Sequence, residues 1–299
     1  MASPVRIVTH NGHFHADDVF AVALLSTLLE RKGVAFVIIR SRYPKEWEAG
    51  DFVVDVGDVY DAQKNRFDHH QEGEAGKHEN GVPYSSLGLV WKKFGAEFSG
   101  SQEVADTVEK KLVEYIDAMD NGMDSVQPKF EGVAMYGIGE VIESFSLGWD
   151  EARDFDEAFM EALEVAKKIL MREVSRAKSA TRSAGKVKEA YEGAPDKRLI
   201  ILDRYYPSRD ILQKHPEPLY IIYPASAADG DWHVRAVRKE GTVFDNRKDF
   251  PKEWAGKRDG EFAAISGVPD AKFCHNGLWL AGSRSKEGAI ALAKKELKV

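Results

Sequence analysis

An uncharged apolar run, Val19–Leu29, lies between two short β-rich segments, Val5–Thr9 and Val34–Arg40, and a third such segment, Phe52-Val-Val, ends on the carboxylate of Asp55. The run reads as a helix with Asp17 or Asp18 at its start and Gly33 closing it. Strand, loop, helix, strand and strand-ending carboxylate is the grammar of an open α/β sheet, in which functional groups gather beyond the carboxyl ends of the strands. His13, Asp17, Asp55 and Asp68 all fall at or just after expected strand ends, so several loops can converge on one point.

Further along, Ser85–Phe94 and Ser101–Met119 read as helices, the second with Val104, Val108, Leu112, Tyr115 and Ile116 on one face. A long helix is expected over 155–192, ended by Gly193-Ala-Pro195, where the domain boundary is placed. The expectation is therefore an α/β protein with a mainly parallel sheet flanked by helices in residues 1–192 and a smaller α/β domain in residues 193–299. In the second part, Leu199–Asp203, Leu219–Tyr223 and Trp232–Arg238 read as strands, Phe273–Ala281 as a further segment, and Lys286–Lys298 as a last helix.

Five of the nine histidines fall in the first seventy residues, interleaved with aspartates: His10-Asn-Gly-His13-Phe-His15-Ala-Asp17-Asp18, then Asp68-His69-His70. Mixed imidazole and carboxylate donors suit Mn²⁺, Mg²⁺ or Fe²⁺ better than a closed structural zinc, which prefers cysteine. Asp55, behind Val53 and Val54, is costly to ionise unless a cation compensates it, and its two oxygens can bridge two metals; the plain alternative is a turn cap. In an extended chain His69 and His70 point to opposite sides, which would give one to metal and the other to substrate, with Asp68 orienting or completing the shell. Asp117 and Asp120 are neighbours on a helix face, although Asp120 before Asn121-Gly122 is equally a turn residue. His10 reads as an outer neighbour, His15 as a ligand or an orienter, and Glu72, Glu74, His78 and Glu79 as solvated loop.

In the second half, Gly282-Ser283-Arg284 before a helix is a plausible anion seat, with His275 nearby in sequence. The single cysteine, Cys274, excludes a disulfide framework, suits a reducing compartment and is expected in the core. Trp232, Trp254 and Trp279 could stack bases, but core packing is the expected use of each. The net charge of −7 argues against non-specific nucleic-acid coating. Residues 198–299, however, hold 18 of the 42 basic and 14 of the 49 acidic residues, a net of +4, against −11 for the first 197. That asymmetry suits an anionic substrate held over metal, or is ordinary scatter. No signal-peptide pattern or membrane-spanning run is present, and a cytoplasmic location is expected.

Four stretches carry a resemblance: Thr9-His-Asn-Gly-His-Phe-His-Ala-Asp-Asp18, Phe67-Asp-His-His-Gln71, Asp117-Ala-Met-Asp-Asn-Gly122 and Gly282-Ser-Arg-Ser-Lys-Glu-Gly288. With Asp55, they resemble the melanocyte-proliferating-gene exonuclease family within the DHH phosphoesterase superfamily, over about residues 5–295. The resemblance implies a 3′→5′ exonuclease on single-stranded RNA, with two divalent ions, Mn²⁺ or Mg²⁺, and an active site in a cleft between two domains. It implies His13, Asp17 and Asp55 on one metal, and Asp55, His69 and Asp120 on the other. His70 would face the phosphate, with Arg284 catalytic and Arg284, His275 and Ser283 binding substrate. Many superfamily members carry an aspartate where this chain has Val19; His15, Asp18, Asp68 and Asp117 are the candidates to complete the shell. A hydrolase of small phosphoanhydrides or short oligonucleotides, or a metal-binding protein without turnover, are the competing readings.

Overall fold

The computed structural model describes residues 3–73, 75–123, 127, 130–225 and 230–297. The chain forms two compact units, Met1–Lys178 and Ser179–Val299. The first contains β1 (Val5–Thr9), α1 (Ala16–Arg31), β2 (Phe36–Arg40), α2 (Pro44–Glu48), β3 (Phe52–Val54), β4 (Tyr60–Asp61), β5 (Arg66–Phe67), α3 (Ser86–Ser99), α4 (Gln102–Val108), α5 (Glu114–Asp120), α6 (Ile138–Glu143) and most of α7 (Phe155–Gly193). The second contains β6 (Leu199–Ile201), α8 (Arg209–Leu212), β7 (Tyr220–Pro224), β8 (Trp232–Ala236), α9 (Asp259–Ser266), β9 (Ala271–Cys274), β10 (Leu280–Ser283) and α10 (Lys286–Leu297). The helix expected over 155–192 is thus α7, and the division between the units falls inside it. Of two positions named in the sequence reading, Glu74 and Lys298 lie outside the described residues.

The first sheet runs β2-β1-β3-β5-β4. Its first four strands are parallel and only β4 is antiparallel, against β5. Because a parallel sheet needs crossovers on its faces, its strands are short apolar runs and its functional loops gather at one end. Helix α1 is apolar on every side, and Ala16 through Leu29 are all buried. It is therefore a central helix rather than an amphipathic cover. Phe20, Leu24 and their neighbours share one core with Leu87, Val90 and Trp91 of α3 and Phe159 and Leu163 of α7. Between α4 and α5 the chain makes a π-helical stretch, Glu109–Val113, so the single helix expected over 101–119 is locally widened.

The second sheet runs β6-β7-β8-β10-β9, with β6 and β7 parallel and the remaining pairs antiparallel. The expected segment Phe273–Ala281 is a hairpin instead. The Asn276-Gly277 pair turns the chain back, with Leu278 at φ 56° and His275 N–H donating to Leu280 O at 2.8 Å.

Gly88, in the first turn of α3, shows how tightly the first unit is packed near that turn. A Cβ there would stand 2.1 Å from Asp117 Oδ2 and 2.7 Å from the Tyr84 ring. Alanine would gain about 1 kcal/mol of helix propensity. Overpacking against fixed groups costs about 1–3 kcal/mol, so the loss wins. Gly88→Ala is expected to lower stability by up to about 2 kcal/mol in urea unfolding; an unchanged or raised midpoint would show that the Asp117 contact can give way.

Candidate metal centre

Beyond the carboxyl ends of β1, β3 and β5, five stretches of the first unit converge. The loop after β1 and the start of α1 bring His10, His15, Asp17 and Asp18; the end of β3 brings Asp55; the turn after β5 brings Asp68, His69 and His70. The end of α5 brings Asp120, and the first turn of α3 brings Ser86. Arg40, almost fully buried, pins the first of these loops: it donates to Gly12 O at 2.6 Å and to Phe155 O at 3.0 Å.

Asp55 stands at the centre. It is 5 % exposed, with φ 55°, a left-handed conformation that an aspartate tolerates better than most residues. Ser86 Oγ donates to its Oδ1 at 2.9 Å. His10 Nε2 lies 3.2 Å from its Oδ2, and His69 Nε2 3.5 Å from its Oδ1. Burial alone would raise its pKa, but bonds from His10 and His69 hold it well below the ordinary carboxylate range. For His69, burial works toward the neutral form and is outweighed by Asp120, 3.1 Å away, and Asp55, so the imidazole is pushed up to about 10.

Asp17 and Asp18 are fully buried in the first turn of α1. Asp18 Oδ1 accepts from the amides of His15 and Val19, both at 2.9 Å, and so closes the helix start. Asp17 Oδ2 accepts from Ser86 N at 3.3 Å. The other oxygens, Asp17 Oδ1 and Asp18 Oδ2, accept no well-aligned hydrogen bond among the described residues, the approach to Asp18 Oδ2 being His10 Nε2 at 3.4 Å. Burial, then the charges of Asp55, Asp120 and Asp18, drives the Asp17 carboxyl well above its usual range. Buried acceptors left unpaired cost about 1–3 kcal/mol each. A cation placed among them relieves that cost, and an all-N/O donor set fits a divalent ion such as Mn²⁺ or Mg²⁺.

Three groups of donor atoms lie within 4.8 Å of one another: His10, His15 and Asp55; Asp55, His69 and His70; His15, Asp17 and Asp120. Asp55 and His15 each belong to two of them, which is the sharing that neighbouring ions require. A cavity of about 450 Å³ opens on His10, His15, Asp55, His70 and Asp120, and Arg42, Trp47, Asp58 and Asp68 also line it.

The profile of the Uncharacterised protein family (UPF0160), the MYG1 exonuclease family, matches residues 6–297. The chain belongs to that family. It is 31 % identical to the MYG1 protein of Schizosaccharomyces pombe over 99 % of this chain and 98 % of the relative. It is 30 % identical to the MYG1 protein of Dictyostelium discoideum, over 99 % and 97 % of the two chains. The human MYG1 exonuclease is 28 % identical, over 99 % of this chain and 87 % of its own length.

Set on this chain, the residues expected from the sequence divide. Asp17, Asp55, His69 and Asp120 come together, and His15 joins them. His13 is in none of the three groups; its exposed ring rests edge-on against Phe155, 4.9 Å between centroids. His10, taken as an outer neighbour, faces Asp55 directly. His69 and His70 do not point to opposite sides: their rings are 4.3 Å apart, and both reach Asp55. The alternation fails because β5 ends at Phe67, and the Asp68 carboxylate then curls the chain by accepting from His70 N at 3.1 Å and pairing with His70 Nδ1 at 2.7 Å. Its second oxygen accepts from Asp58 N at 2.7 Å, so Asp68 orients its neighbours and has no oxygen to spare.

Asp117 is likewise committed. Its oxygens accept from Ser85 Oγ at 2.5 Å and Gly88 N at 3.0 Å and pair with His78 Nε2 at 2.7 Å. His78 is therefore buried rather than solvated, and its other nitrogen lies 3.4 Å from Glu109 in the π-helical stretch. Glu72 and Glu79 are exposed, as expected. In the second unit, Ser283 is fully buried and donates to Ser285 O at 2.7 Å, so it has no hydroxyl proton for a substrate. The expected anion seat is taken by the protein's own Asp270, whose carboxylate is bonded by Ser285 Oγ and lies against Gly288 at the start of α10. His275 is exposed and its Nδ1 accepts from Gly277 N at 2.9 Å; Arg284 is exposed, 4.0 Å from Asp259. The sequence reading missed Ser86 and Arg42. Two serines before an apolar run signal a helix start, but nothing local marks Arg42.

The His78–Asp117 pair has a pH signature. Burial lowers the His78 pKa, but Asp117 and Glu109 outweigh it and raise it from 6.5 to about 9. A histidine raised on folding contributes fully below the unfolded value and loses that contribution as pH rises through the folded one. The gap in melting temperature between wild type and His78→Gln is therefore expected to be widest below about pH 6.5 and to narrow toward pH 9. A gap constant across that range would mean that His78 is neutral in the fold.

Proposed function

We propose that this chain is a metal-dependent phosphodiesterase, an exonuclease-type hydrolase acting 3′→5′ on single-stranded RNA with two divalent ions, Mn²⁺ or Mg²⁺. Membership of the MYG1 exonuclease family supports the nuclease reading. The observation that carries the metal reading is Asp55, a buried carboxylate common to two donor groups. His10, His15 and Asp17 would supply one ion and His69 and Asp120 the other, with Asp55 between them. When bound, such ions lower the pKa of water and offset charge on phosphoryl oxygens.

The chain's own residues do the rest. Arg42 lines the cavity and would offer a phosphate its guanidinium, the carboxylates of the same cavity being left to cations. His70 is mostly exposed on that wall. Asp68, bonded to its Nδ1, raises its pKa and so favours the protonated ring, with burial opposing. As water adds to phosphorus and the bond to the leaving ribose oxygen breaks, His70 can donate the proton that this oxygen takes. Asp68 thus holds the Nδ1 side of His70 and aims the ring. A cytoplasmic location suits the free, buried Cys274 thiol.

The test is end-labelled single-stranded RNA, single-stranded DNA, dinucleotides and pyrophosphate, each incubated with protein and Mn²⁺. Release from the RNA 3′ end is expected, falling about 10²-fold or more in Asp55→Asn and His69→Ala, as removal of metal ligation or of a key electrostatic partner does elsewhere. Calorimetry should show weakened Mn²⁺ binding in the same variants. Full activity in both would overturn the site, and hydrolysis of pyrophosphate alone would transfer it to the anhydride reading.

A second prediction concerns Ser86. Its hydroxyl and amide hold Asp55 and Asp17 together, so Ser86→Ala is expected to weaken Mn²⁺ binding about 10-fold, in the range of lost second-layer partners, with little change in folding stability. Unaltered affinity in calorimetry would show that the ligands hold their own places.

A further inference from the structure

The two faces of the second sheet differ in kind. One cross-strand row, Ile222–Val234–Ala281–Cys274, is buried in the core beneath α9 and α10. The adjacent row on the other face is Tyr223–His233–Gly282–Phe273, running across β7, β8, β10 and β9, with its Tyr223 end buried in a second apolar cluster beside Ile221 and Val187. Its rings meet edge to face, Tyr223 to His233 at 5.7 Å and His233 to Phe273 at 5.7 Å. Gly282 makes the row continuous: a Cβ there would stand 2.5 Å from the Phe273 ring, so only glycine lets that ring lie across β10. His233 and Phe273 are half-buried, neither sealed in the core nor fully in water.

Beside this row lies an indole with two cations. The guanidiniums of Arg235 and Arg238 are 5.4 Å and 5.6 Å from the Trp279 ring centroid. Neither arginine has a carboxylate within ion-pair distance among the described residues. Arg238 Nη1 donates to Phe244 O and to Asn246 Oδ1 at 2.6 Å, with Asp249 and Asp245 acting on its charge from further off, so an added anion would meet its remaining N–H groups and those of Arg235. Trp279, expected in the core, is half-buried here and stands outside the apolar clusters, whereas Trp254 is a core residue.

We propose that this face, with Phe273, His233 and Trp279 as stacking surfaces and Arg235 and Arg238 as phosphate partners, binds single-stranded nucleic acid. Flat rings give base stacking without regard to sequence, and guanidiniums alongside track the backbone. A duplex hides its base faces and satisfies only the arginines. The inference deepens the exonuclease reading and rests on it for the identity of the ligand.

The test is binding of a fluorescent single-stranded RNA 12-mer to the full chain, by anisotropy in chelator so that turnover plays no part. Phe273→Leu and Trp279→Leu are each expected to raise Kd about 10-fold, as loss of one stacking partner does. The pair Arg235→Gln with Arg238→Gln is expected to flatten the log Kd against log salt slope by about 1.4, two phosphate contacts on a single strand. Melting temperatures verify folding; should Trp279→Leu fail to fold, Phe273→Leu and the arginine pair decide. Variants that bind within twofold of wild type overturn the platform, as does equal wild-type affinity for blunt duplex, or displacement of RNA by an acidic peptide of equal charge. If wild type hydrolyses nothing while the variants still lose RNA, the exonuclease reading falls and the platform stands.

Discussion

A carboxylate removed from water must be answered by donors or by positive charge, and Asp55 makes that demand on the whole first unit. His10, His69 and Ser86 answer it from three separate stretches of chain. Each of those stretches is in turn held by something else: the β1–α1 loop by Arg40, the turn after β5 by Asp68, and α3 by Asp117. Removing any one of these supports would leave Asp55 in place but change what faces it.

The first turn of α3 is the least obvious part of this arrangement. Ser85, Ser86 and Gly88 direct two hydroxyls and two amides at three aspartates, Asp17, Asp55 and Asp117. Helix N-termini favour anions because their amides are unpaired and the peptide dipoles align there. Here that preference is used to gather carboxylates. Asp17 and Asp55 keep oxygens facing the centre, while Asp117 spends its own on α3 and His78. The difference separates a carboxylate with an oxygen open to a cation from a structural one, although both lie in motifs of aspartate-rich appearance.

The residues misread from sequence share one cause. His13 and His10 are equivalent in type and only three positions apart, and which of them meets Asp55 depends on how the loop is folded by Gly12 and Arg40. The His69–His70 alternation assumed an extended strand, but a side chain two residues back replaced strand geometry with a turn. Ser283 and Arg284 had the local pattern of an anion seat, yet Asp270, distant in sequence, supplied the anion from within. His78 looked like loop because its partners, Asp117 and Glu109, lie more than thirty residues away. In each case a long-range side-chain contact decided between readings that were locally equal.

The sequence by itself determined the first sheet's character, the apolar α1, the strand-ending Asp55 and the family, because short-range periodicity and motif spacing are properties of neighbouring residues. It also determined that imidazoles and carboxylates would be concentrated at one end of a mainly parallel sheet. Only the tertiary structure decided which of them face Asp55, that α3 holds two of the carboxylates, and that a row of rings crosses the second sheet. Those depend on register, on where strands stop and on which distant partner claims each oxygen, and a buried polar group is assigned only when all of its competitors are in place.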